Sequence, residues 1–310
     1  MVKKRWYLYL ILAIFIVGAI LGSFLDFQLS SAIYQHDNGF GLFMSSVGES
    51  PVYLFIGILG FASLKLCKDY KLWWQRMLLI LFLLATLGVV IYFQGADVIS
   101  INSYNLPSLK WVGFLVAFII WCLGFILGYF LLRNSDISPK HLLIIILTLS
   151  VICAVSIGIT QLLKIIANRP RFRFLAASDN VDNFKNWWQS GTELKKLYVD
   201  KYLPSGELIT SEEFKSFPSG HVSMTANIIP MFATLPLLNK KIKIKQPILL
   251  CITTLYIIVL AYTRIRVGAH FLSDVSIGGI ISILAYIGFN ELYVHLNRKW
   301  NNEEIILLNK

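Results

Sequence analysis

Residues 142–171 read LLIIILTLSVICAVSIGITQLLKIIANRPR, a long apolar run that ends in a cluster of cations. The run from 142 to 163 contains no charged residue and has the length of a membrane-spanning helix, which needs about 20 mostly apolar residues. Lys164, Arg169 and Arg171 follow it. Strong polar groups beside hydrocarbon are costly and often functional. The stretch therefore predicts a membrane helix that leads into a polar site.

The whole chain is far more apolar than a soluble domain of its length. Of its 310 residues, 56% are hydrophobic and 15% are charged, and the mean hydropathy is +0.67. We predict an all-α fold, a polytopic membrane helix bundle that forms a single integral membrane domain over residues 1–310. About eight segments are long enough to span a membrane, of which the second and sixth are short: 6–25, 51–66, 77–94, 111–132, 142–163, 222–238, 247–264 and 272–293.

The cations of the short loops predict the orientation, because cytoplasmic loops are enriched in lysine and arginine. If the N-terminus is cytoplasmic, every inside connection is cationic, whereas residues 26–51 contain no lysine or arginine. We therefore predict a multi-pass protein of the cell membrane with both termini cytoplasmic, an extracytoplasmic loop at 164–217 and a cytoplasmic tail at 294–310. The predicted inside cations are Lys3, Lys4, Arg5, Lys65, Lys68, Lys71, Arg76, Arg133, Lys140, Lys240, Lys241, Lys243, Lys245, Arg298 and Lys299.

The net charge of +11 fits this topology and an attraction to anionic headgroups at the inner surface. Membrane lipids are thus expected partners, and nucleic-acid binding is not indicated. The oligomeric state is unknown from the sequence. The four cysteines lie in or beside the spans without metal-type spacing, so neither a disulfide framework nor a zinc site is predicted: Cys67, Cys122, Cys153 and Cys251.

The first polar cluster pairs Lys164 with Arg171, seven residues later. That distance is about two helical turns, so both cations could converge on one anion if the helix continued, although Pro170 favours its end. An ordinary basic cluster whose side chains reach the headgroups would look the same.

The second cluster, Pro218-Ser219-Gly220-His221, directly precedes a helical pattern. Serine can cap a helix, and the free N–H groups of a helix start point at an arriving anion. His221 could there exchange a proton with a leaving oxygen. The alternative is a plain helix cap with a bystander histidine.

The third cluster places His270 and Asp274 four residues apart, close to Arg264. On a helix such side chains are neighbours, and a carboxylate bonded to one ring nitrogen leaves the other nitrogen as a nucleophile or base. The forked guanidinium of Arg264 suits phosphate oxygens. A structural ion pair is the alternative for His270 and Asp274.

Together the three clusters resemble the type 2 phosphatidic acid phosphatase (PAP2) superfamily, of the bacterial integral membrane type. Its pattern is a lysine, six residues and Arg-Pro; then Pro-Ser-Gly-His; then Ser-Arg, five residues, histidine, three residues and aspartate. The chain keeps these spacings between residues 164 and 274. It departs from the pattern twice, with Phe172 in place of proline and Thr263 in place of serine.

The resemblance implies a core of six helices with three spans before the first motif. This chain has five such spans, so residues 1–141 are expected to include an added hairpin, and residues 142–293 the catalytic core. It implies His270 as nucleophile, held by Asp274, and His221 as the proton donor to the leaving oxygen. The implied phosphate ligands are Lys164, Arg171, Ser219, Gly220 and Arg264, with Arg169 as an optional helper. No metal and no other cofactor is implied.

The loop between the first and second motifs carries several aromatic residues among lysines: Phe184, Trp187, Trp188, Tyr198 and Tyr202. This composition suits either an amphipathic lid at the membrane interface or an ordinary packed loop. A lid would favour a lipid phosphate as substrate, such as a polyprenyl diphosphate, a phosphatidylglycerophosphate or a phosphatidate. Three alternatives stay open: a lipid phosphotransferase with the same pocket, a non-catalytic lipid-handling or transport protein, and a catalytically silent relative.

Overall fold

The computed structural model describes residues 6–102, 110–178, 181–242 and 245–308, and these residues are predominantly helical. Within these ranges the only β-pairing is an isolated bridge between Tyr202 and Leu208. The predicted all-α class is confirmed. The α-helices are α1 (Trp6–Ile33), α2 (Gly39–Val47), α3 (Ser50–Leu66), α4 (Trp73–Asn102), α5 (Lys110–Leu132), α6 (Pro139–Ala167), α7 (Phe172–Ala177), α8 (Thr192–Tyr198), α9 (Gly220–Ala226), α10 (Ile228–Leu238), α11 (Gln246–Arg266) and α12 (Leu272–Leu308).

Within the described ranges, eight helical segments have the length and apolar composition to cross a membrane, as predicted. The largest difference at the start of a segment is in the second, which begins at Gly39 rather than near residue 51. Polar residues between Ser45 and Ser50 interrupt the apolar run there, but they bond to other helices inside the protein, so this stretch stays in the bundle. The last helix continues to Leu308 and so includes most of the predicted tail.

Helix α1 packs along α12, while α9 packs against α6, α11 and α12. These contacts gather the ends of α6, α9, α11 and α12, which carry the three polar clusters. Helices α4 and α5 instead pack mainly on α3 and on each other. Gly124 of α5 lies against the backbone of Leu54, an approach that a larger side chain would prevent. The α4–α5 pair is therefore our candidate for the added hairpin.

The bundle has two chemically different ends. At one end, Lys65 Nζ donates to the Leu132 carbonyl at 2.6 Å and Asn239 donates to the Leu131 carbonyl at 2.9 Å, so these cation-bearing loops meet. The motif residues occupy the opposite end. Among the predicted inside cations, Lys3 to Arg5 and Lys243 lie outside the described residues, as do the side chains of Arg298 and Lys299.

The segment between the first two motifs folds into a cap with its own apolar core, formed by Phe172, Phe174, Leu175, Ile209, Phe214 and Phe271. Phe184 packs on Phe271, and Trp187 stacks on Phe217. Trp188 and Tyr202 stay 56% and 70% exposed. The composition allowed either an amphipathic lid or a packed loop, and most of the segment is a packed loop.

An ion pair fastens the cap. Arg173 donates two hydrogen bonds to the Glu213 carboxylate, at 2.9 and 2.5 Å. Burial alone would raise the pKa of Glu213, but the hydrogen bond and charge of Arg173 outweigh it and lower the pKa. The carboxylate therefore stays charged at neutral pH and keeps the loop closed over the helix ends.

Candidate active site

The three polar clusters converge on His270, which is almost completely buried. Lys164, Arg171 and Arg264 are close enough for their charges to act on its ring. His221 is close enough as well. Residues from α6, α9 and α11, with the segments after α6 and α11, therefore meet at one point. The structure thus brings the three motifs together, and their role as one anion site stays a prediction.

The ring of His270 is held by a backbone group. Its Nδ1 lies 2.6 Å from the carbonyl oxygen of Ser216. A carbonyl can only accept a hydrogen bond, so Nδ1 carries the hydrogen and Nε2 keeps its lone pair. This is the tautomer that a nucleophilic histidine needs.

The expected hydrogen bond between His270 and Asp274 is not formed. His270 precedes α12 instead of lying within it, and the distance from Nδ1 to Asp274 Oδ2 is 4.0 Å. Asp274 instead accepts hydrogen bonds from the Ser216 hydroxyl at 2.5 Å and the Phe271 N–H at 2.9 Å. Its carboxylate thus positions the two segments that hold the histidine.

Arg169 also differs from its prediction as a helper in phosphate binding. Its side chain is 0% exposed, and it donates to Asp274 at 2.5 Å and to Asp26 at 2.9 Å. Further bonds go to the Ser273 hydroxyl and the Lys185 carbonyl. The guanidinium is occupied by these partners, so Arg169 is a positioning residue that joins α1, the cap and α12.

Asp26 is a member of this network that the motif analysis missed. It lies in α1, and it also accepts hydrogen bonds from the backbone N–H and the hydroxyl of Ser273. A signal was present in the sequence, since Asp26 is the one acidic residue of an otherwise apolar helix and intramembrane charges usually have partners.

Burial lowers the pKa of His270 well below the usual histidine value, and the nearby cations Lys164, Arg171 and Arg264 lower it further. A lowered pKa means that the ring stays neutral as the pH falls through the ordinary range of histidine titration. The free Nε2 lone pair is therefore retained at neutral pH.

The candidate phosphate ligands lie around this ring. Lys164 is in the last turn of α6, and a Cβ atom added to Gly220 would lie 3.4 Å from its Nζ. Ser219 caps α9, as predicted, because its Oγ accepts from the Val222 N–H at 3.4 Å. Its own N–H donates to the Asp274 carbonyl at 2.9 Å, which ties the second motif to the third.

The other two cations are held by their surroundings. Arg171 precedes α7, with its N–H bonded to the Glu213 carbonyl at 2.8 Å and its guanidinium 4.0 Å from Glu212. Arg264 donates to the Ser45 hydroxyl, and its carbonyl accepts the N–H of His270. The cations are thus preorganised.

A tight turn presents His270. Gly268 has a φ of +66°, and a Cβ atom there would lie 2.7 Å from the Tyr34 ring and 2.9 Å from the Arg173 nitrogen. Both the left-handed conformation and the crowding require glycine. The turn leads the chain from α11 to His270.

His221 lies beside a cavity of about 140 Å³ that reaches into the bundle. The ring nitrogen Nε2 is 3.3 Å from the Ser45 carbonyl, and Nδ1 is 3.9 Å from Glu49 Oε1. Lining residues include Glu49, Phe93, Ile157, Lys164, Gly220 and Met224. The candidate catalytic residue His221 and apolar side chains thus line one cavity.

The two departures from the motif pattern have structural explanations. Phe172 fills the apolar core of the cap, where its ring packs edge-on against Tyr34 and Phe271. Thr263 keeps a hydroxyl, which donates to the Leu260 carbonyl of its own helix at 2.7 Å. Neither change removes a group that carries charge or a proton in the site.

Comparisons with known proteins agree with the motif reading. A family model described as PAP2 superfamily matches residues 143–298, just over half of the chain. Neither the comparison with curated proteins nor the comparison with solved structures gave a match. Members of the matched superfamily are phosphatases, which supports a phosphoester hydrolase in general. The chain therefore belongs to the PAP2 superfamily.

Proposed function

We propose that the protein is a membrane lipid phosphatase that hydrolyses a phosphate monoester or diphosphate of a lipid through a phosphohistidine at His270. The observation that carries this proposal is the environment of His270: a neutral ring with Nδ1 bonded to the Ser216 carbonyl, under the charges of three cations. Candidate substrates are a polyprenyl diphosphate, a phosphatidylglycerophosphate or a phosphatidate.

The reaction has two steps. The Nε2 lone pair of His270 forms a bond to phosphorus while the bond from phosphorus to the lipid oxygen breaks, and His221 donates its proton to that oxygen. Water then attacks phosphorus, the bond to Nε2 breaks, and His221 takes a proton from the water. Lys164, Arg171 and Arg264, with Ser219 and the Gly220 N–H, stabilise the charge on the equatorial oxygens. Protein cations supply this charge, so we expect no metal requirement.

A lipid substrate is favoured over a soluble ester by the surroundings of His221. The cavity beside it is lined by apolar residues of three spanning helices, Phe93 of α4, Ile157 of α6 and Met224 of α9. A phosphate bound at the helix ends would therefore have hydrocarbon-like side chains next to its leaving group.

Purified protein in detergent is expected to release inorganic phosphate from at least one of these three lipids, faster than from a soluble sugar phosphate, and equally with and without EDTA. The measurement is phosphate release over a substrate panel. Loss of activity with EDTA that added Mg²⁺ restores would contradict the metal-independent mechanism. Adding a lipid or sugar alcohol separates the alternative, because a phosphotransferase would form a new phosphate ester in place of free phosphate.

We further propose that the active site faces outward and that both termini are cytoplasmic, on the distribution of loop cations. In a variant lacking the four native cysteines, single cysteines at Ser190 and Ser205, both exposed on the cap, are expected to react with a membrane-impermeant thiol reagent in intact cells. A cysteine at the exposed Lys241 is expected to react only after the membrane is broken. The reverse labelling pattern would place the active site in the cytoplasmic leaflet.

A further inference from the structure

A fourth stretch of the chain reaches the active site, although it precedes the part matched by the family model by more than 90 residues. It comprises residues 45–50, which are the end of α2, the two connecting residues and the first residue of α3, and is called the α2–α3 turn below. Ser45 accepts hydrogen bonds from both catalytic neighbours, through its carbonyl from His221 and through its hydroxyl from Arg264. The carboxylate of Glu49 lies 3.9 Å from the other ring nitrogen of His221.

These contacts influence whether the His221 ring is protonated. A general acid must carry a proton, but two nearby cations disfavour a positive ring: Lys164 lines the same cavity as His221, and Arg264 shares Ser45 with it. The α2–α3 turn places a carbonyl oxygen within hydrogen-bonding distance of Nε2, and the Glu49 carboxylate lies 3.9 Å from Nδ1, which is a charge contact and not a hydrogen bond. A carboxylate at this distance favours the protonated ring through its charge. Glu49 also brings the negative charge that offsets the cations.

The α2–α3 turn is itself fixed on several sides. Tyr53 donates to the other oxygen of Glu49 at 2.5 Å, and Tyr256 donates to the Gly48 carbonyl at 2.8 Å. Gln94 of α4, which is fully buried, donates to the Ser46 carbonyl and accepts from the Ser50 hydroxyl at 3.0 Å. The α4–α5 hairpin thereby holds the turn against the catalytic helices.

We propose that Glu49 is a positioning residue for proton transfer: it orients His221 and stabilises its protonated form, so that His221 can protonate a poor leaving group. The inference rests on the function proposed above. Glu49 exchanges no proton with substrate. In the step it serves, His270 bonds to phosphorus as the phosphorus–oxygen bond to the lipid breaks, the electron pair of the broken bond goes to the lipid oxygen, and the proton comes from Nδ1 of the protonated His221, because the Nε2 hydrogen is donated to the Ser45 carbonyl.

The test compares leaving groups. A lipid monophosphate leaves as a poorly stabilised alkoxide and needs the proton, whereas an aryl phosphate such as p-nitrophenyl phosphate leaves as a stable phenolate and does not. Glu49→Gln is expected to lower kcat/KM for the lipid monophosphate roughly 10- to 100-fold and for the aryl phosphate less than about threefold. Glu49→Asp, with a shorter carboxylate, is expected to show an intermediate loss with the same selectivity.

A double-mutant cycle tests whether Glu49 acts through His221. His221→Ala is expected to lower kcat/KM for the lipid monophosphate by at least about 100-fold, and adding Glu49→Gln is expected to change it by less than about twofold. Multiplicative losses in the double variant, or equal losses on both substrates, would overturn the inference. So would wild-type kinetics of both Glu49 variants.

Two controls distinguish a specific effect of Glu49 on proton transfer from a loss of folding or of the nucleophile. Glu193→Gln removes an exposed carboxylate from the cap and is expected to leave both rates unchanged. Thermal unfolding in detergent shows whether each variant is folded, and the aryl phosphate rate reports an intact nucleophile in the same sample. If the wild-type protein released phosphate from no lipid, the function proposed above would fail, because the reaction in which Glu49 acts would not exist.

Discussion

Replacing His270 by alanine is expected to abolish phosphate release, with a loss of about 10⁴-fold or more, because the variant has no group that can form the phosphoenzyme. The measurement is turnover of the best lipid substrate by purified protein. A second readout is an acid-labile phosphoenzyme, trapped by rapid quenching with ³²P-labelled substrate. It is expected in the wild-type protein and absent from His270→Ala.

The structure changes what to expect of the neighbouring positions. Because the Ser216 carbonyl holds Nδ1 of His270, Ser216→Ala keeps this bond and is expected to lower the rate less than about tenfold. Asp274→Asn weakens the contacts to Ser216 and Arg169 and is expected to cost roughly 100-fold while leaving residual activity. If His270→Ala retained more than a few per cent of wild-type release, or formed the phosphoenzyme, the covalent assignment would be wrong.

Arg169→Met is expected to destabilise the protein by about 3–5 kcal/mol, because it leaves Asp26 and Asp274 buried without their shared cation. Thermal unfolding in detergent measures the loss, and phosphate release is expected to fall with it. The matched control is Lys196→Met, which breaks an exposed ion pair with Glu193 and is expected to leave the unfolding temperature nearly unchanged.

A companion variant tests the cause. Adding Asp26→Asn to Arg169→Met removes one of the two stranded carboxylates, so part of the lost stability is expected to return. If Arg169→Met unfolded like the wild-type protein but raised KM selectively, the arginine would be a phosphate ligand.

The sequence by itself predicted the helical class, the eight spans and the three motifs that the structure brings together, but not Asp26, Ser45 or Glu49 beside them. Spanning helices are recognisable because the bilayer imposes a length and an apolar composition on each helix separately. The second span shows the limit of this rule. Its start at Gly39 was missed because Ser45 and Glu49 are polar, and only their contacts with Arg264 and His221 explain why such residues lie inside the bundle.

The tertiary structure alone decided how the site residues are held. The group that fixes the nucleophile is the backbone carbonyl of Ser216, and every residue has such a carbonyl, so no residue type signals its role. Asp26 contacts Arg169 across 143 positions of the chain, and Ser45 contacts His221 across 176. Which buried charges become partners depends on how the helices pack, because partners so far apart in sequence have no fixed spacing that a local pattern could reveal.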